Sequence, residues 1–216
     1  MAHNQGYLGE DDIRKIQSTV SSYFTEETDN GSIDHHDNTI WLHGKIYRRS
    51  FLKKNNIRFN NTRANEDTGF NKLIYFLTEV LYIPDYTYIW KCNNKSLTRS
   101  TDYNFYGLEG FVYNICWAIE EGLKRTANVN KIANVVYGTI VEMYYRYIYY
   151  YEREEKSLLL EWTKELKRYY IKYYSILNDE EKRKIIADIT MSYINELETN
   201  KLLNNELTLN EFIDLI

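Results

Sequence analysis

The sequence predicts an α+β chain that is mostly helical, with an α/β piece over residues 1–100 followed by a helical domain over 101–216. Three observations lead there. One proline and nine glycines in 216 residues leave long stretches free of helix breakers. Apolar residues recur at helical spacing through the second half. Before residue 100, short β-branched and aromatic runs are set between polar loops.

Taken in order, Asp11 to Phe24 places Ile13, Ile16, Val20 and Phe24 at helical spacing behind two aspartates, and predicts a helix. Thr25 to Asn38 is polar throughout and reads as a loop. Thr39 to Tyr47 is rich in β-branched and aromatic residues and predicts a short strand. Ser50 to Asn55 reads as a helical turn ending at an Asn-Asn pair. From Asn65, Phe70, Leu73, Ile74, Leu77 and Val80 share a helical face. Val80 to Trp90 reads as a strand, and Pro84 near its middle favours an edge. Helices are then expected near 103–125, 128–151, 155–176, 179–199 and 208–216. Asn178 before Asp-Glu-Glu supplies a cap, and Thr208 with Glu211 forms a capping box. No internal repeat is evident.

Composition narrows the function. The net charge of −4, from 27 basic and 31 acidic residues, gives no global field that attracts nucleic acid or anionic membrane. Cys92 and Cys116 lie far apart with no Cys-x-x-Cys, so no zinc module is expected, and two thiols suit a reducing cytosol. The first residues lack a basic segment followed by an apolar run, so no signal peptide is expected. No stretch reaches the roughly 18 apolar residues of a membrane span. The expected location is cytoplasmic. Heavy use of Asn, Lys, Ile and Tyr suits an AT-rich genome such as a phage or low-GC bacterium.

The stretch from Trp41 to Thr98 carries the chemistry. Trp41, Lys45, Tyr47, Arg48, Phe51 and Leu52 follow a W-x-x-x-K-x-Y-R-x-x-F-L order, and Ile57 and Phe59 follow as I-x-F. Next come Asn65-Glu66-Asp67, then Phe70, a Tyr86-x-Tyr88 strand, and Ser96-Leu97-Thr98. Each element is degenerate; their shared order is more specific. That order resembles the second half of the catalytic domain of family 2 glycosyltransferases, which have the GT-A fold.

The resemblance implies a GT-A-like acceptor-side piece in residues 1–100, ahead of a C-terminal helical bundle. It implies sugar transfer from a nucleotide-sugar donor to a hydroxyl acceptor, with inversion. Asp67 is then the general base, taking the proton of the attacking hydroxyl, and Glu66 orients it or the acceptor. Trp41, His43, Lys45, Arg48 and Tyr88 are the expected substrate-binding residues, with Lys45, Arg48 and Arg49 suited to a phosphate or carboxylate.

A structural reading stands beside this one. Asn65 would cap the helix, and the two acids would simply favour its positive end. A helix N-terminus also lowers a carboxylate pKa and makes a weaker base, which burial or substrate would have to offset.

The donor half is missing from the pattern. Enzymes of the GT-A fold hold Mg²⁺ or Mn²⁺ through Asp-x-Asp, so the resemblance implies such a metal, but no ligand set is identified here. Glu10-Asp11-Asp12 follows no hydrophobic strand. Asp34-His35-His36-Asp37 has suitable ligand types, yet adjacent histidines rarely converge on one ion. The expectation is a split or truncated half that lacks the nucleotide-binding part. Its N-terminal half would come from another chain or a longer product.

Twenty-two tyrosines are concentrated in 144–151 and 168–174. Consecutive helical positions point in different directions, so no single face receives them all. They read as helix packing, with a homo-oligomer contact as a further expectation. Basic residues among them are offset by Glu142, Glu152, Glu154, Glu155 and Glu165, which argues against nucleic acid. The alternative to an enzyme is a non-enzymatic helical interaction scaffold that retains a glycosyltransferase remnant. A nucleic-acid-associated phage protein ranks third.

Overall fold

The computed structural model describes residues 13–21, 42, 45–62, 64–91, 101–149, 153–188 and 207–216. Among these the chain is mostly helical. It divides into two compact units, one within residues 3–127 and one within residues 128–216. The packing boundary falls between Ala127 and Asn128.

The N-terminal unit contains β1 (Ile13–Ser21), α1 (Arg49–Lys54), α2 (Glu66–Leu77), β2 (Val80–Lys91) and α3 (Thr101–Leu123). The helix expected from Asp11 to Phe24 is not formed over Ile13–Ser21, which is a strand paired antiparallel with β2. Its register runs from Ile13 opposite Lys91 to Ser21 opposite Val80. Ile13, Ile16, Thr19 and Val20 are β-branched, and nine residues of pairing outweigh a weak helical spacing.

Pro84 behaves as the sequence predicts. Gln17 is opposite Tyr86 and Ser18 opposite Ile83, so Pro84 and Asp85 lie in a bulge where no ladder N–H is required. The strand expected over 39–47 is reduced, among its described residues, to an isolated bridge at Ile46.

α2 is the centre of this unit. Its residues from Thr68 to Phe76 are all buried. It lies against α3, and the two backbones approach closely at Gly69. A Cβ there would meet Asn114 Oδ1 at 2.9 Å and the Trp117 ring at 3.1 Å. Arg125, just past α3, ties the end of α1 down by donating from Nε to the Asn55 carbonyl at 2.7 Å. It also pairs with Glu121 at 2.6 Å.

The C-terminal unit contains α4 (Val129–Tyr149), α5 (Arg153–Tyr169), a π-helical turn (Tyr170–Tyr174), α6 (Asp179–Asp188) and α7 (Leu209–Leu215). These match the helices read from periodicity, although residues 189–199 of the fourth lie outside the described part. α4 is buried continuously from Ile132 to Val141, as befits a helix surrounded by partners.

The buried residues of α5 step regularly through Leu159, Thr163, Leu166 and Tyr169, and the next is Tyr174. That last step of five residues needs the wider π turn, closed by Ser175 N–H donating to the Tyr170 carbonyl at 2.9 Å. Tyr174 thereby stacks on Tyr137, with centroids 4.3 Å apart and planes 1° from parallel.

Both sequence-read caps form. Asn178 Oδ1 accepts from the Glu181 N–H at 2.9 Å, and Thr208 and Glu211 make a reciprocal capping box. The described tyrosines of 144–151 and 168–174 are buried or half-buried. Tyr144, Tyr169 and Tyr174 are buried, and the Tyr144 hydroxyl donates to the Leu207 carbonyl at 2.6 Å.

Candidate functional site

The acidic pair opens α2 as the spacing predicts, with Glu66 and Asp67 in its first turn and both half-buried. The expected cap is absent. Asn65 has a left-handed backbone (φ 60°) and makes no side-chain cap bond. Its amide instead donates to the Gly107 carbonyl of α3 at 2.7 Å. A tertiary bond has replaced the local one, because the loop must cross α3 closely to enter α2.

Asn114 completes that anchorage. It is fully buried, and its amide nitrogen lies 2.8 Å from the Gly110 carbonyl, 3.1 Å from the Ala64 carbonyl and 3.2 Å from Thr62 Oγ1. Its oxygen accepts from Asn60 Nδ2 at 3.2 Å. Gly110 leaves room for the loop, since a Cβ there would sit 3.3 Å from the Ala64 carbonyl oxygen. The residues before the acidic pair are therefore fixed by buried hydrogen bonds rather than by sequence-local capping.

Around Asp67 lies an aromatic group. Asp67, Phe70 and Asn71 share one face of α2 at i, i+3 and i+4. The Tyr47 hydroxyl donates a short hydrogen bond to Asn71 Oδ1. The Tyr47 ring meets Phe70 edge-on at 5.3 Å, and Phe59 stacks on Phe70 at 4.2 Å and 13°. Phe59 is half exposed, which leaves much of its ring open to solvent. Burial pushes the Tyr47 phenol well above tyrosine's usual range, and the negative charge of Asp67 adds to that rise. One Asp67 oxygen accepts the Thr68 backbone N–H at 2.8 Å, which orients the carboxylate.

Of the other expected site residues, Lys45 is half-buried and Arg48 exposed, beside the start of α1. Tyr88 is on β2, opposite Ile16. Trp41, His43, the Tyr88 side chain, Cys92 and both acidic clusters before residue 40 lie outside the described residues. Among the described residues no three His, Cys, Asp or Glu side chains converge as metal ligands. Among the described residues no set of side chains fits the Mg²⁺ or Mn²⁺ that the resemblance implies. Cys116 is a half-buried thiol on α3.

Sequence reasoning placed Phe59 and Tyr47 only in a motif and assigned them no part in a site. The signal was an aromatic residue on each side of α1, but only the fold brings both rings onto Phe70. Among the described residues no helix is long and apolar enough to cross a membrane.

No family model, no curated protein and no solved structure matches this chain.

Proposed function

We propose that residues 41–98 form the acceptor side of a glycosyl-transfer site of the GT-A type. The observation that carries this reading is Asp67. It is a half-buried carboxylate that accepts the Thr68 N–H, on a helix end anchored by buried hydrogen bonds, one turn before Phe70, on which the half-exposed Phe59 ring stacks. An aromatic face held in this way is suited to stacking on a sugar ring, and a carboxylate close to it to proton removal.

In the proposed reaction the acceptor hydroxyl oxygen bonds to the anomeric carbon while Asp67 takes its proton. The bond from that carbon to the nucleoside diphosphate breaks, and the diphosphate leaves with the electron pair. Attack from the opposite side gives inversion. The nucleotide-sugar donor would be held by a complementary half, and Arg48 and Lys45 by their charge suit an anionic group of either substrate.

The test has two parts. Ligand-observed NMR of the intact chain with a saccharide panel should show binding that Phe59→Ala removes and Asp67→Asn retains. Reconstituted with a nucleotide-binding half, Asp67→Asn should lower turnover by at least about a hundredfold, the usual effect of losing a general base. A chain that binds no saccharide, or an Asp67→Asn variant with unchanged turnover, rejects the proposal.

The second reading is a helical interaction scaffold. What favours it is the surface of the C-terminal unit, where Ile171 and Ile176 are 56% and 74% exposed. Concentration-dependent association of the chain, abolished by Ile176→Ser in sedimentation experiments, would support that alternative.

A further inference from the structure

Between residues 38 and 65 the chain has seven lysines and arginines and no aspartate or glutamate, although the whole protein is net −4. Most of this charge is exposed. Arg48, Arg49, Lys53, Lys54 and Arg58 are all exposed. Within α1, Phe51 is buried and Leu52 half-buried. At about 100° per residue, Arg49, Ser50, Lys53 and Lys54 fall on the opposite side. One face of this short helix is thus core and the other is basic.

Beside it is a shallow, open depression of about 260 Å³ lined by Arg48, Ser50, Phe51 and Lys54. A guanidinium fork, an ammonium and a hydroxyl together are a donor set suited to phosphate oxygens. Two exposed apolar side chains flank these cations along the chain. Ile46 is 65% exposed, and Phe59 is the half-exposed ring already described. The segment is firmly held, with the Ile57 N–H donating to the Leu52 carbonyl at 2.9 Å and Arg125 gripping Asn55.

We infer that this face docks on an anionic phospholipid surface. The cations of α1 lie against headgroup phosphates and Ile46 enters the boundary with the acyl region. A nucleic acid offers phosphates but no apolar layer for an exposed isoleucine. A soluble phosphate would occupy the depression and leave Arg49, Lys53 and Ile46 unused. Cations together with exposed apolar side chains match the two forces of interfacial binding, and no membrane-spanning helix is needed. The inference stands independently of the glycosyl-transfer reading.

The test is co-sedimentation of the intact chain with vesicles of phosphatidylcholine alone or with about one-third phosphatidylserine. Binding is expected to the anionic vesicles. It should fall steeply between about 0.1 M and 1 M salt as the screening length shrinks from about 10 Å to 3 Å. Arg49→Gln/Lys53→Gln/Lys54→Gln should weaken partitioning roughly a hundredfold, at about fivefold per cation. Ile46→Ser should weaken it while leaving the salt dependence unchanged.

Circular dichroism checks that the variants keep their helix content. If the triple variant loses it, Lys54→Gln alone and the salt series on the native chain decide the matter. Equal binding to neutral vesicles overturns the proposal. So does tighter binding to a DNA fragment at equal phosphate, or displacement from vesicles by micromolar inorganic phosphate.

Discussion

Asn114 shows how much one buried side chain decides in this protein. Nothing in the local sequence distinguishes it from the chain's many other asparagines, yet it joins the loop at 60–64 to α3. Removing it takes a donor from the Ala64 carbonyl and an acceptor from the Asn60 amide, and empties a fully buried position. Asn114→Ala should therefore cost about 2–4 kcal/mol, more than the usual worth of one hydrogen bond. Urea unfolding of the full chain measures this, and faster amide exchange at Glu66 and Asp67 would locate the loss at the candidate site. Asp67 itself was legible as the start of a helix. Its aromatic neighbours were not, because Tyr47, Phe59 and Phe70 meet across breaks in secondary structure.

At the scale of elements, helices were easier to read than strands. α2 and the helices of the C-terminal unit follow from apolar spacing and caps, which are local properties. β1 does not, because its conformation depends on a partner about 60 to 80 residues away in the chain. The π turn is a further case. Continued α-helical geometry would carry Tyr174 away from the buried stripe, and the wider turn brings it onto Tyr137.

The cluster around that pair includes Ala133, Val141 and Ile185, so Tyr174 joins the π turn to α4 and α6. Tyr174→Ala should destabilise the chain by about 3–5 kcal/mol, as large aromatic truncations in cores do. Tyr174→Phe keeps the stack and removes only the hydroxyl, at about 1 kcal/mol. Thermal or urea unfolding of both variants separates packing from hydrogen bonding.

Across the whole molecule, alkaline pH is the condition that tests both units. Burial raises the phenols of Tyr47 and Tyr174, one in each unit, above the ordinary tyrosine value near 10. Below about pH 10 these phenols are protonated in the folded and unfolded chains alike, so their contribution is fully present. Above it the unfolded chain releases protons that the folded chain retains, and stability falls as pH rises. Urea midpoints from about pH 8 to 11 should show that decline. Tyr47→Phe should flatten it, and Asp67→Asn should bring the Tyr47 pKa down by removing an adjacent negative charge.

The sequence by itself determined that the chain is mostly helical, where its amphipathic helices and two caps fall, and that Pro84 interrupts a strand. Each of these depends on residues within a turn or two of one another. Only the tertiary structure decided that Ile13–Ser21 is a strand, that Asn65 reaches α3 instead of capping α2, and that the rings of Tyr47 and Phe59 gather on Phe70 near Asp67. Those outcomes depend on contacts between distant residues, where a long ladder or a buried hydrogen bond outweighs the fraction of a kilocalorie that local preference supplies.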